Sequence, residues 1–341
     1  MNITVIGGGT GTTTVLEGLK KHKDLNIQVI VGMMDDGGSN AVIRDEFGLL
    51  PLSDLRKSII ALADDQNNQI LRELFTYRFS NGESIKGHTL GNLLMIAMTE
   101  IIGDEVGAIE TFKNMFGVKG EIYPVTLDDV KLVAEYVDGS KVVGEHLIDE
   151  PEVHKDIEKF YIDSEANIYE KAREAIVNSK FIIIGPGDLY TTTLQSLIVS
   201  GFKDAIKQSK AKIVFITNLM TKIGQTRNKT QKDIINIVED YLGRKIDYVI
   251  VNNGDIPEEA LLLYEEYGEN ILEDNLQDGD GRIIIREDVV ANDLVKTEKG
   301  DTLKRSLVRH DGKKLQKILY RILRGRGIGS VFTRFISSYS D

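Results

Sequence analysis

Ile3-Thr4-Val5-Ile6-Gly7-Gly8-Gly9-Thr10-Gly11-Thr12 begins as an apolar run that reads as a buried strand and breaks into glycines. Val15, Leu16 and Leu19 then fall on one face of a following helix. Strand, glycine turn and amphipathic helix together make a phosphate cradle. Glycines let backbone N–H groups and the helix amino terminus approach an anion, and Thr10 and Thr12 add hydroxyl donors. No Gly-Lys-Ser/Thr follows, so this is not a Walker loop. Thr12 stands where the dinucleotide fingerprint read from Gly7 has glycine, although Gly8 with Gly11 keeps a looser spacing. A ligand-free strand-to-helix turn is the plainer alternative, and the crowding of glycines and threonines at the first strand end favours the cradle.

Outward from this stretch, valine- and isoleucine-rich runs recur at residues 27 to 31, 181 to 184, 213 to 216 and 248 to 251, each ending in a glycine or polar turn. Helical patterns lie between them, such as Ile168, Ala172, Ala175 and Ile176. The alternation predicts an α/β fold with a Rossmann-like, doubly wound, mostly parallel sheet. We expect a single unit over 1–341 with a helical insertion over 53–116, opening at Ser53-Asp54 and including Leu90 to Met98. Ile122-Tyr123-Pro124-Val125, Val130 to Val137, a turn at Asp138-Gly139 and Lys141-Val142-Val143 predict a small antiparallel accessory sheet over 120–150. Residues 274 to 282 read as a polar loop.

The net charge of -11, from 42 basic and 53 acidic residues, argues against holding nucleic acid by broad phosphate neutralisation. No apolar run approaches the roughly 20 residues of a membrane span, and the amino terminus enters a strand without a leader pattern, so a soluble, cytoplasmic protein is expected. The absence of cysteine excludes disulfides, thiolate zinc sites and cysteine nucleophiles, and five histidines suit an all-histidine metal site poorly. Residues 312–336 read as a basic carboxyl-terminal helix with Leu315, Ile318, Leu319 and Ile322 at helical spacing. Packing on its own acidic body is favoured over membrane or partner docking. The sheet edges and this helix leave room for a homodimer.

Further strand ends carry polar turns. After the second come Asp35-Asp36-Gly37-Gly38-Ser39-Asn40 and then Arg44; Asp35 or Asp36 could hold a ribose or Mg2+, and Gly37-Gly38-Ser39 could form a second anion nest. An acidic surface turn is the plain alternative. Asp54-Leu55-Arg56 opens a helix where capping alone would account for the carboxylate, and Gly87-His88-Thr89-Leu90-Gly91-Asn92 starts another, with a capping histidine as the bland reading. Gly185-Pro186-Gly187-Asp188, Asn218-Leu219-Met220-Thr221 and Asn252-Asn253-Gly254 end later strands. Ligands of open α/β sheets bind outside the carboxyl ends of strands, so these turns should converge on one crevice. The candidate ligand-binding set is Gly7, Gly8, Gly9, Thr10, Gly11, Thr12, Asp36, Gly37, Gly38, Ser39, Arg44, Asp54, Arg56, His88, Asn92, Gly185, Gly187, Asp188, Asn218, Thr221 and Asn252.

Taken together, Gly7-Gly8-Gly9-Thr10-Gly11, Asp35-Asp36-Gly37-Gly38-Ser39, Asp54-Leu55-Arg56, Gly87-His88, Gly91-Asn92, Gly185-Pro186-Gly187-Asp188-Leu189-Tyr190 and Asn218-Leu219-Met220-Thr221 resemble the YvcK/CofD-like family over nearly the whole chain. The YvcK branch, the gluconeogenesis factors, is nearest, and Val308-Arg309-His310-Asp311 is similar to it as well. The other branch is the 2-phospho-L-lactate transferases. The resemblance implies a Rossmann-like fold and binding of a uridine diphosphate sugar such as UDP-N-acetylglucosamine, linked to cell-wall supply and cell shape in gluconeogenic growth, with no reaction implied. The diphosphate would lie against Gly8, Gly9, Thr10 and the turns at Gly187 and Asn218, with Asp36, Ser39 and Arg44 nearby. The sequence departs from the branch pattern at Lys57, Leu52-Ser53 and Met33-Met34.

Three functions are therefore weighed. A nucleotide-sugar-binding regulator is favoured by Gly37-Gly38-Ser39 and Asp54-Leu55-Arg56. A transferase moving a phosphate-linked group from a nucleotide-activated donor would use Mg2+ on Asp35 or Asp36. A nicotinamide dehydrogenase is weakest, because Thr12 breaks the strict fingerprint.

Overall fold

The computed structural model describes residues 1–64, 69–82, 84–152, 154–279, 281–294 and 307–325. Among the described residues ten strands form two sheets: β1 (Asn2–Ile6), β2 (Asn26–Val31), β3 (Glu121–Pro124), β4 (Leu132–Tyr136), β5 (Lys141–Val143), β6 (Ile157–Ile162), β7 (Phe181–Ile184), β8 (Lys212–Ile216), β9 (Tyr248–Asn252) and β10 (Ile283–Glu287). The larger sheet runs β10-β9-β8-β7-β1-β2-β3 with every neighbouring pair parallel, and the smaller, antiparallel sheet runs β5-β4-β6. The Rossmann-like α/β class read from the sequence is borne out. Its central strands carry side chains such as Ile3, Val5, Ile183 and Val214 that are fully buried, as a sheet covered on both faces requires.

Strand order decides where a ligand can enter. From β1 the chain builds outward through β2 and β3, then returns to place β7 on the other side of β1. The loops leaving β1 and β7 diverge to opposite faces, and that divergence opens a crevice at their carboxyl ends. Val5 pairs with both Val29 and Ile183, so the Gly7 and Gly185 turns emerge side by side.

Three strand assignments differ from the sequence reading. Ile122 to Pro124 joins the edge of the large sheet beside β2, not the accessory sheet; an edge strand tolerates its proline because no outer neighbour needs the missing N–H. The accessory sheet takes its third strand from β6, beyond residue 150. Ile283 to Glu287 adds an edge strand directly after the polar loop.

The helices are α1 (Gly9–Leu19), α2 (Ser39–Phe47), α3 (Ser53–Leu62), α4 (Gln69–Thr76), α5 (Leu90–Ile102), α6 (Glu105–Met115), α7 (Glu145–Asp149), α8 (Glu170–Asn178), α9 (Gln195–Leu197), α10 (Phe202–Gln208), α11 (Gln231–Leu242), α12 (Glu258–Glu266) and α13 (Gly312–Leu323), with a π-helical turn at Leu189–Leu194. Helices α3 to α6 lie between β2 and β3 in sequence, and α1 packs against α3 and α13. Leu315, Ile318, Leu319 and Ile322 are buried on α13, while Lys314 reaches Asp288 at 2.7 Å and Arg321 and Arg324 pair with Glu287 and Asp24. Residues 326–336 of the helix read from sequence lie outside the described residues. Among the described residues no helix is long and apolar enough to cross a membrane.

Candidate functional site

A crevice of about 640 Å³ opens at the switch point between β1 and β7, lined by Gly8 to Gly11 on one side and Gly187, Asp188 and Asn218 on the other. The glycines are needed for close approach. A Cβ on Gly11 would stand 2.2 Å from the Pro186 carbonyl oxygen, so the α1 amino terminus can meet the β7 turn only without a side chain. Gly9 has φ +64, and a Cβ there would find nothing within 4 Å, which leaves its backbone open to the crevice. Its N–H donates to Asp54 Oδ2 at 3.0 Å, and Lys57 Nζ donates to Asp54 Oδ1 at 2.7 Å. Asp54 is therefore not the cap of α3, whose N-cap is Leu52; its carboxylate instead occupies the Gly9 amide at the start of α1. Across the mouth, the Gly187 N–H donates to Asn218 Oδ1 at 3.3 Å.

The crevice also gathers carboxylates. Asp35 accepts the Gly37 N–H at 2.9 Å, and burial, followed by the charge of Asp54, pushes its carboxyl up to about 6. Burial, followed by Asp35, Asp149 and Asp36, holds Glu145 well above the usual carboxylate range. Lys222 Nζ bridges Asp149 Oδ1 at 2.5 Å and Asp188 Oδ2 at 2.7 Å. Burial alone would lower this lysine, but the two carboxylates outweigh it and keep the ammonium above its ordinary value. Asp149 Oδ1 further accepts from Thr191 Oγ1 at 2.9 Å and Gln225 Nε2 at 2.7 Å, so Lys222 is neutralised and Asp149 is held in place by three donors. Among the described residues no group of three or more His, Asp or Glu is arranged to hold a metal ion unaided.

The remaining sequence candidates divide. Thr10, Gly37, Arg56, Asn92 and Thr221 line the crevice. Arg56 Nε donates to Asn92 Oδ1 at 2.8 Å, and Thr221 Oγ1 accepts the Asn270 N–H at 2.9 Å. Gly7, Thr12, Gly38 and Gly185 form the turns behind the lining, with Thr12 buried and its hydroxyl turned toward Gly7. Asp36 faces away: its Oδ1 accepts the His146 N–H at 2.8 Å and holds the start of α7. Arg44 pairs with Asp129 and donates to the Val130 carbonyl at 3.1 Å, tying α2 to the chain before β4. Thr89, not His88, caps α5, accepting the Asn92 N–H at 3.3 Å, and it is Thr89 that lines the crevice. Asn252 Oδ1 accepts the N–H groups of Gly254 and Val289 at 3.0 and 3.1 Å and fixes the β9 turn. The Ser39 side chain lies outside the described residues.

Several lining residues carry no local sequence signal. Asp149, Lys222 and Tyr264 come from three separate segments. Tyr264 Oη accepts the N–H groups of Leu307 and Val308 at 2.9 and 3.2 Å, and so holds the 307–310 segment against the crevice. His310 Nε2 lies 3.0 Å from the Thr217 carbonyl, and burial lowers its pKa to about 4.

Residues 3–322 match the 2-phospho-L-lactate transferase CofD family. The chain belongs to the CofD family. Within it, this chain is 36% identical to the gluconeogenesis factor of Listeria monocytogenes, over 94% of its own length and 95% of that protein. It is 34% identical to the gluconeogenesis factor of Bacillus subtilis, over 94% of its own length and 98% of that protein. A crystal structure of a UPF0052 family member from Bacillus halodurans matches with a TM-score of 0.83 at 31% identity, covering 94% of this CofD-family chain and 98% of that one. The family resemblance read from the motifs is thus borne out.

Proposed function

We propose that this CofD-family chain binds a uridine diphosphate sugar in the switch-point crevice and acts in the cytoplasm as a regulator of cell-wall precursor supply and cell shape during gluconeogenic growth. The carrying observation is the pairing of two glycine turns, Gly8 to Gly11 and Gly187, across the mouth between β1 and β7. That geometry suits a diphosphate, which backbone N–H groups and a helix amino terminus can hold without lysine. On this reading a phosphate oxygen takes the Gly9 N–H, and Asp54 keeps its bond to Lys57. The relatives named gluconeogenesis factors along nearly the whole chain support a regulatory role.

The Asp35 and Asp54 carboxylates, close enough that the charge of Asp54 raises Asp35, would be the residues to hold a Mg2+ ion beside a diphosphate; Asp36, engaged with α7, would not. Such an ion would neutralise charge between carboxylates and ligand. The same pair is what favours the second reading, a phospho-group transferase with a nucleotide-activated donor.

A thermal-shift screen of uridine, guanosine and nicotinamide nucleotides and nucleotide sugars, with and without Mg2+, tests the proposal. Selective stabilisation by uridine diphosphate sugars is expected, about 2.7 kcal/mol at a hundredfold excess over Kd, with the sugar recovered unchanged. A Mg2+-dependent guanosine diphosphate shift with turnover would move the assignment to the transferase.

A further inference from the structure

Two arginines in the crevice wall make no ion pair among the described residues. Arg56, from α3, is buried and donates from Nε to Asn92 Oδ1 at 2.8 Å and from Nη1 to the Phe75 carbonyl at 3.1 Å. Arg78 lies on the extended segment after α4, bridged to Thr89, and donates from Nη1 to the Gly87 carbonyl at 2.6 Å. Its Nε is buried with no hydrogen-bond partner among the described residues. All the acceptors these two guanidinium groups have among the described residues are neutral. The pair is close enough that Arg78, after burial, helps bring the Arg56 pKa down to about 10. The carboxylate acting on Arg56 is Asp54, already bonded to Gly9 and Lys57.

Neutral carbonyls position a guanidinium but leave its charge uncompensated, and two like charges at a partly desolvated wall oppose one another. An arrangement of that kind is relieved by an oxyanion, which arginine's planar donors match. Lys222 on the other wall shows the contrast, since Asp149 and Asp188 already neutralise it.

We propose that Arg56 and Arg78, on the helical side of the crevice, form a second anion subsite for a carboxylate or phosphate group, separate from the glycine cradle. Asp54 reaches from the side of Lys57 and Arg56 to Gly9, so it stands between the two subsites. A ligand filling both carries anionic groups on either side of that carboxylate. The anion is either the far end of the nucleotide ligand or a separate small oxyanion. Only the naming of the cradle's occupant rests on the function proposed above; the arginine subsite stands without it.

Arg78→Gln removes the charge and keeps a donor for the Gly87 carbonyl, and Arg78→Lys keeps the charge without the fork. Calorimetry follows inorganic phosphate into the protein alone and into protein saturated with UDP-N-acetylglucosamine, and compares UDP-glucuronate with UDP-glucose. If the anion is a separate oxyanion, phosphate binds alongside the UDP-sugar and Arg78→Gln weakens it about tenfold or more, with partial recovery in Arg78→Lys. If it is the ligand's own, UDP-glucuronate outbinds UDP-glucose and Arg78→Gln erases that advantage. The proposal is overturned if neither phosphate affinity nor the glucuronate preference changes in the variants. Should no UDP-sugar bind at all, the function proposed above fails, and the phosphate titration of the free protein still decides the subsite. If the glutamine variant unfolds, the lysine variant decides by the same two readouts.

Discussion

Asp35 and His310 face the same crevice with opposite pH signatures. Burial, aided by Asp54, raises Asp35 from 3.8 to about 6, and burial lowers His310 from 6.5 to about 4 against its bond to Thr217. Between those two Asp35 values the folded state holds a proton that the unfolded chain has lost, so the Asp35 contribution to stability falls as pH rises through that window. For His310 the unfolded chain takes up a proton that the folded state refuses, so its contribution falls as pH drops from 6.5 toward 4. The two trends oppose each other in the native protein, and single variants should separate them. Asp35→Asn is expected to raise stability at about pH 7 by up to about 3 kcal/mol more than at about pH 4. His310→Gln should flatten the loss on acidification. Melting curves for each variant against the parent across this range check both signs, and parallel curves would remove the buried-charge account. Sequence marks Asp35 as a candidate because it follows a strand. Nothing local shows that Asp36, its neighbour, instead holds the start of α7, from a segment more than a hundred residues away.

At the scale of elements, legibility follows amphipathic pattern. The valine and isoleucine runs of β1, β2, β7, β8 and β9 are central strands and announce themselves. Strands β3 and β10 are sheet edges; β3 alternates buried and half-buried positions and ends in proline, and every residue of β10 is half-buried. β6 shows no clean alternation, with Glu158 and Lys159 both exposed in succession, and lies beyond the hairpin that its partner strand makes obvious. The α13 stripe is legible as a buried face. Leu319 is fully buried there, so Leu319→Ala should cost about 3 kcal/mol, whereas Arg324→Ala, on a half-exposed pair with Asp24, should cost less than about 1 kcal/mol. Urea denaturation of the two variants measures the difference. Similar costs would mean that α13 is held by charge, not by its apolar stripe.

For the whole molecule, what matters is that strand order brings distant turns together. Gly9 and Gly187, 178 positions apart by their numbers, face one another because β7 pairs with β1. Strand ends with glycine and asparagine are legible as candidates, and their convergence follows from the parallel-sheet rule. The opposite wall is not legible: Asp149 meets Lys222 and Gln225 only through tertiary packing, and no short motif encodes a lysine neutralised by two remote carboxylates. Arg78 carries no local signal for the same reason, lying in an extended stretch that lines the crevice only once it is bridged to Thr89.

The most direct test of the central claim is calorimetric titration of UDP-N-acetylglucosamine into the parent protein and Gly9→Val. The valine imposes about 1–2 kcal/mol of left-handed strain and places a branched side chain where Gly9 is open to the crevice. One saturable site in the parent and none in a still-folded variant is the predicted result. Equal affinity in both proteins, or no binding to either, would contradict a nucleotide-sugar site on the glycine turn.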